Sequence, residues 1–187
     1  MGDGAVLTAR DLLDLGPRTA VDKSLSRLVQ GGRVRRLGKG LYYIPRYHAV
    51  VGELAPEPDA IASALARKTA SRLQPSGAHA ANLLGLSTQV ASKLVYATDG
   101  PSNTIKVGKQ TIKLRRVSPR FMTGAGRPGG LVTQALRHLG PKNVDDSVVA
   151  RLRTRLSDTD RAALATDAAD APAWIRKVVQ RVAGEPG

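Results

Sequence analysis

Between Arg18 and Lys39 the chain concentrates side chains that can bind a polyanion. Val21, Leu25, Leu28 and Val29 fall at i, i+4, i+7 and i+8, the spacing of one apolar helical stripe. At roughly 100° per residue, the opposite face carries Thr19, Ala20, Lys23, Ser26, Arg27 and Gln30. These are small, polar or cationic, and no acid is among them. Such a face can donate hydrogen bonds to phosphates and base edges. Asp22 sits to one side near the helix start, where its charge suits the helix dipole. Thr19 with Asp22 three residues later reads as a capping-box variant, so the helix is expected to begin there.

A basic ribbon follows. Arg33, Arg35 and Arg36 flank the apolar Val34 and Leu37, and Leu41–Ile44 is rich in strand-forming residues. Gly38 and Gly40 permit a tight hairpin turn with Lys39 on its tip. Wing cations of this kind meet phosphates or the minor groove, although charged edge strands also serve to prevent aggregation. Upstream, Thr8–Gly16 is a short amphipathic run closed by glycine. Helix, tight turn, helix and basic ribbon together predict a winged helix-turn-helix, which would seat its second helix in a DNA major groove.

Catalytic groupings are absent from the pattern. No Ser-His-Asp or Cys-His arrangement occurs at a recognisable spacing. Asp145-Asp146 and Asp158/Asp160 look like paired carboxylates, but both lie at expected helix starts, where capping accounts for them. With no cysteine, disulfides and thiolate zinc sites are excluded, and His48, His79 and His138 lie too far apart for a metal motif. No metal or cofactor is expected, and the chain reads as a non-enzymatic binding protein.

Charge points the same way. The 187 residues carry 29 Lys/Arg against 15 Asp/Glu, a formal net of +14. Residues 1–48 hold nine of these cations and four of the acids, so both halves are basic. Aromatics make up only 3%, so the core must be built mainly from Leu, Val and Ala. No signal-peptide pattern is visible and no apolar run reaches the roughly 20 residues of a membrane helix. A cytoplasmic location is the expectation.

Residues 1–7 are expected to fray, the winged module to occupy 1–46, and 47–58 to form a proline-bounded linker. From 59 to 183 a second domain is expected, mixing helices with a small antiparallel sheet, so the fold class is α+β. Asp59 is expected to cap a helix reaching Leu73, with a second, Ala-rich helix over Ser76–Leu84. Lys93–Thr98, Asn103–Val107 and Gln110–Val117 read as strands, the last two joined at Gly108-Lys109. Ile105, Val107, Ile112 and Leu114 form the inward set of that hairpin. Lys93, Lys106, Lys109, Lys113, Arg115 and Arg116 make a second basic surface, suited to nucleic acid or to an acidic partner face. The glycine-rich Ala125–Gly130 lacks the lysine and hydroxyl of a P-loop. Helices are expected over Leu131–Leu139, Asp145–Leu156 and Arg161–Asp167 (capped by Ser157–Asp160), and from Pro172 with Trp174 in the core. The tail from Gly184 is expected to be disordered.

The run LDLGPRTAVDKSLSRLVQGGRVRRLGKGLYYIPR (Leu13–Arg46) resembles the N-terminal winged-helix domain of the AbiEi family, antitoxins and transcriptional regulators of bacterial type IV toxin–antitoxin systems. SRLQPSGAHAANLLGLS (Ser71–Ser87), KLVYATDGPSNTIKVGKQTIKLRR (Lys93–Arg116), GLVTQALRHLG (Gly130–Gly140), LSDTDR (Leu156–Arg161) and APAWI (Ala171–Ile175) are similar to an uncharacterised branch of that family. The resemblance implies an autorepressor acting on operator DNA and a second domain that supplies antitoxicity. The partner it implies is a nucleotidyltransferase toxin of the AbiEii type, counteracted at an RNA or other target. Direct binding of the toxin, and an orphan nucleic-acid-binding regulator, are the alternatives. Two departures stand out: Pro17 replaces a common serine in the turn, and a helix usual in the family before the first one here is missing. An uncovered apolar face on the winged module is the expected consequence.

Overall fold

The computed structural model describes residues 2–88 and 93–184. Among them the chain is mixed α+β, with seven α-helices and small antiparallel sheets. It divides into two compact units. The first runs through Ser71 and takes in Thr104–Ile112; the second comprises Arg72–Asn103 and the residues from Lys113 onward.

In the first unit β1 (Val6–Leu7) leads into a 3-10 helix (Ala9–Leu12), then α1 (Arg18–Gln30), β2 (Arg35–Gly38) and β3 (Leu41–Tyr43). The strands pair in the order β1–β3–β2, with Leu7 and Arg36 both opposite Tyr42. The amphipathic run expected as a helix is therefore only one 3-10 turn. Short isolated helices are marginal, and here Asp11 completes a capping box that fixes the start of the turn. Its carboxylate accepts the Thr8 backbone N–H at 2.9 Å and the Thr8 hydroxyl at 3.2 Å. The residues expected to fray include β1, which is paired and buried.

The start of α1 also differs from expectation. Pro17, not Thr19, is the N-cap, and its carbonyl accepts the N–H groups of Ala20 and Val21 at 2.9 and 3.1 Å. Proline's fixed φ favours this entry. Asp22 pairs with Arg18 one turn earlier, at 2.9 Å. Val21 and Leu25 bury against Leu7 and Ala9, while Leu28 stays 36% exposed.

Residues 47–58, expected as a linker, hold a second hairpin of β4 (Arg46–His48) and β5 (Gly52–Leu54). The Tyr43 hydroxyl donates to the Leu54 carbonyl at 2.6 Å and ties this hairpin to β3. Next, α2 (Pro58–Lys68) buries Ile61, Ala62, Ala64, Leu65 and Ala66 and lies against β1 and the 3-10 helix. The break between units thus falls at Ser71 rather than within 47–58. Nor does α2 reach Leu73. The Thr69 hydroxyl turns back to the Leu65 and Ala66 carbonyls, and Ala70 adopts a φ of 51°.

Arg67 anchors α2. Its guanidinium reaches Asp11 at 3.0 Å and donates to the Val6 carbonyl at 3.0 Å. Burial works against the Asp11 carboxylate, yet hydrogen bonds from Arg67 and the Thr8 backbone outweigh it and hold the carboxyl below its ordinary range.

The second unit carries β6 (Leu73–Ser76), α3 (Ala78–Leu83), β7 (Lys93–Thr98) and the end of β9 (Gln110–Arg116); β8 (Asn103–Val107) and the start of β9 lie almost wholly in the stretch counted with the first unit. Its helices are α4 (Pro128–Leu139), α5 (Asp146–Arg155), α6 (Asp158–Asp167) and α7 (Ala173–Ala183). The strand order is β6–β7–β9–β8, and the stretch Thr104–Ile112 groups with the first unit. Strand β6 was hidden by Pro75, which lies opposite Tyr96 in an antiparallel pair. As β6 is an edge strand, the missing N–H need cost no ladder bond. Gly77 (φ 64°) then opens α3, shorter than the expected Ser76–Leu84 helix.

Helix α4 packs against α3, α6, α7 and β6, burying Val132, Ala135 and Leu136. The expected caps form: Asp145 accepts the Val148 N–H and Ser157 that of Asp160, each at 3.1 Å. Trp174 is half-buried against the helical core, and His79 is buried with its ring edge-on to Tyr96. Residues 185–187 of the expected disordered tail lie outside the described residues.

The glycine-rich segment before α4 is a packing device. A Cβ on Gly130 would lie 2.2 Å from the Gly124 carbonyl oxygen, and one on Gly129 would lie 2.2 Å from Asp167 Cβ. Without side chains at these positions, α4 closes on the loop and on α6, and the buried Asp167 accepts the Gly129 N–H at 3.3 Å. Helix α4 therefore begins at Pro128, earlier than the expected Leu131.

Two outcomes are expected. Gly130→Ala forces backbone to move and should cost about 1–3 kcal/mol or more in urea unfolding, whereas Gly31→Ala, whose nearest contact would be 3.4 Å, should change stability by less than about 0.5 kcal/mol. Asp11→Asn should cost roughly 1–2 kcal/mol at pH 7. A depressed carboxyl stabilises the fold above its unfolded pKa and loses that effect as pH falls through the folded value, so the difference between wild type and variant should be full at pH 7, start to shrink below about pH 4 and vanish only once pH is below the folded value. Parallel unfolding curves at pH 7 and about pH 2 measure the difference.

Candidate nucleic-acid interface

All six residues of the expected helix face are exposed: Thr19, Ala20, Lys23, Ser26, Arg27 and Gln30. They are not equivalent. Ala20 borders an apolar groove, described below, whereas Lys23, Ser26 and Gln30 point away from Val21 and Leu25 at helical spacing. Arg27 reaches Ser24 Oγ at 3.4 Å and, among the described residues, pairs with no acid.

The hairpin cations have different environments. Arg35 pairs with Glu53 of β5 at 3.2 Å, and the Glu53 hydrogen bond and charge push the Arg35 guanidinium above its ordinary range. Part of its charge is therefore already balanced. Arg33 is exposed, and Arg36 hydrogen-bonds the Gly38 carbonyl at 3.4 Å. Lys39 stands exposed at the tip, where Gly40 takes a φ of 68°.

The fold assembles a wider cationic surface than the sequence disclosed. A cavity of about 680 Å³ opens between the 3-10 helix, the start of α1, the hairpin tip and the end of α2. Arg10, Arg18, Arg36, Lys39 and Lys68 line it, with Asp22 as its one acid, already paired to Arg18. The Lys68 ammonium donates to the Lys39 carbonyl at 2.7 Å and braces the hairpin tip. Arg10, Arg18 and Lys68 are not among the residues expected from the sequence. Arg18 precedes the helix start expected at Thr19, and Lys68 lies 29 residues beyond Lys39, with no spacing rule to join them. Only the return of α2 brings it to the hairpin.

On another side of α1 lies an apolar groove of about 350 Å³, whose lining includes Leu7, Leu12, Leu15, Val21, Leu28 and Val34. Leu15 is 77% exposed. An apolar face left open on this module was the sequence expectation.

The second basic set is shared between the units: Lys106 and Lys109 fall in the stretch counted with the first, whereas Lys93, Lys113, Arg115 and Arg116 belong to the second. Lys106 lies on β8 and Lys113, Arg115 and Arg116 on β9, which are neighbouring strands of one sheet. All six are exposed, and Ile112 and Leu114 are buried beneath the alternation of β9. Ile105 and Val107 are half-buried.

Among the described residues no group of three His, Asp or Glu side chains could hold a metal ion, and no helix is long and apolar enough to cross a membrane. Asp145 and Ser157 serve as helix caps, and Asp158 pairs with Arg161. The first unit presents exposed hydrogen-bond donors on one helix face and one hairpin.

No curated protein matches the chain. Residues 1–164 match the family of unknown function DUF6088, and with that share of its 187 residues covered the chain belongs to that family.

Proposed function

We propose that the chain is a DNA-binding regulator of the antitoxin kind, whose first unit acts as a winged helix-turn-helix. The observation that carries the reading is the order of its parts. The 3-10 turn and α1 intervene between β1 and β2, the sheet order is β1–β3–β2, and an acid-free exposed face on α1 accompanies a basic hairpin. Helix α1 is the recognition helix, with Lys23, Ser26, Arg27 and Gln30 towards base edges and Thr19 towards the backbone. Arg33, Arg36 and Lys39 on the hairpin, with Arg10, Arg18 and Lys68, contact phosphates. Arg35 contributes less because Glu53 holds it.

The net charge of +14 supports association with a polyanion and makes it salt-sensitive. Resemblance to AbiEi antitoxins supports the more specific reading: autorepression of an operon whose toxin is a nucleotidyltransferase, with the second unit supplying antitoxicity.

Binding of the full chain to its own upstream DNA, a scrambled duplex and tRNA across salt tests this directly. Lys23→Ala/Arg27→Ala should lose about 1–3 kcal/mol per base contact at the specific site. Arg36→Ala and Lys39→Ala should weaken all duplexes alike and lower the salt slope by about one each. Unchanged affinity for upstream DNA in the Lys23/Arg27 variant would refute the groove assignment.

A further inference from the structure

The second unit holds a cavity of about 510 Å³ between β6, β7, β9, α4 and the turn before α4. One wall is Arg115 and Arg137, with His138 beside them; Val95, Val117 and Phe121 supply an apolar floor. Among the described residues no Asp or Glu lines it.

Arg137 is the unusual member. It sits in the last turn of α4 with its guanidinium 4.5 Å from the centre of the Phe121 ring. Arg120 approaches the same ring at 4.9 Å. Arg137 Nε is buried and has no hydrogen-bond partner among the described residues. Burial, and then the charge of Arg120, push this guanidinium below its ordinary range. Arginine still remains protonated. A cation–π contact returns part of the lost hydration, but a half-buried guanidinium beside a second one is normally answered by a carboxylate. On its other side Arg137 borders a small crevice with Asp167 and Asp170. Those acids are engaged elsewhere: Asp167 with Gly129 and Arg127, Asp170 with the Thr123 hydroxyl at 2.6 Å.

We propose that this cavity binds the phosphate group of a nucleotide, either free or within an RNA strand. Arg115 and Arg137 take the phosphate oxygens, with His138 as an additional donor, and the apolar floor accepts the sugar or base. Guanidinium forks match phosphate geometry, and the volume is that of an ordinary small-ligand pocket. Every lining residue belongs to the second unit, so the inference stands independently of duplex recognition by α1.

The test is an amide NMR titration of the full chain with pyrophosphate, AMP and a single-stranded RNA octamer in phosphate-free buffer. Shifts should cluster at Ser76–Ala78, Arg115–Val117, Phe121 and Gln134–His138. Arg115→Gln and Arg137→Met should each weaken binding at least tenfold. A purely structural Arg137 would lower the melting temperature when removed; here Arg137→Met should leave it unchanged or raise it, since no carboxylate is orphaned. Equal affinity for AMP and octamer identifies a free nucleotide, and an octamer preference of tenfold or more identifies a strand. Absence of cavity shifts at 10 mM probe, or wild-type affinity in Arg115→Gln, which is exposed and should fold, would overturn the proposal.

Discussion

The first unit hangs on one guanidinium. Arg67, near the end of α2, reaches the Asp11 carboxylate and the Val6 carbonyl together. Exposed ion pairs contribute little on average, since water screens them and long side chains lose entropy. This one differs because the Asp11 side chain is only 10% exposed and also accepts two hydrogen bonds from Thr8. Strand β1 and the 3-10 turn are thereby fixed to α2. The next residue, Lys68, holds the hairpin tip through the Lys39 carbonyl. Two neighbouring side chains on one helix thus set the two ends of the candidate interface. Donors held in place before binding lose less freedom when they meet a ligand, which favours recognition over loose attraction.

The charge excess has an address. Many of the acids are spent on architecture: Glu53 on Arg35, Asp99 on Arg72, Asp167 on Arg127, Asp146 on Arg181. These pairs join segments far apart in sequence. Lys23, Arg33 and Lys39, by contrast, stand exposed, and Arg137 is half-buried beside Arg120 and the Phe121 ring. Charge that joins segments is thus distinct from charge that stands at the surface.

Much of the architecture was legible where local signals agree. Asp145 and Ser157 announce their helices by capping chemistry, and Pro172 by its fixed dihedral. The turn at Gly108 and the alternation of β9 declare that hairpin. The exposed face of α1 followed from helical spacing alone. Other features are tertiary. β6 contains a proline and gains its identity only by pairing with β7. The sequence places Gly129 and Gly130 ahead of the helix expected from Leu131, yet they form its first turn and are small because the Gly124 backbone and Asp167 press against them. The cavity around Arg137 joins residues from five segments, and no spacing rule links Arg115 to His138.

Pro75 has a wider bearing. A sheet edge offers unpaired N–H and C=O groups on which any extended segment can grow, its own copies included. In β6 the central donor of that row is deleted. A four-residue edge interrupted in this way is a poor template for intermolecular strand exchange. The formal net charge of +14 adds like-charge repulsion between copies, so charge and backbone both work against self-pairing at this edge.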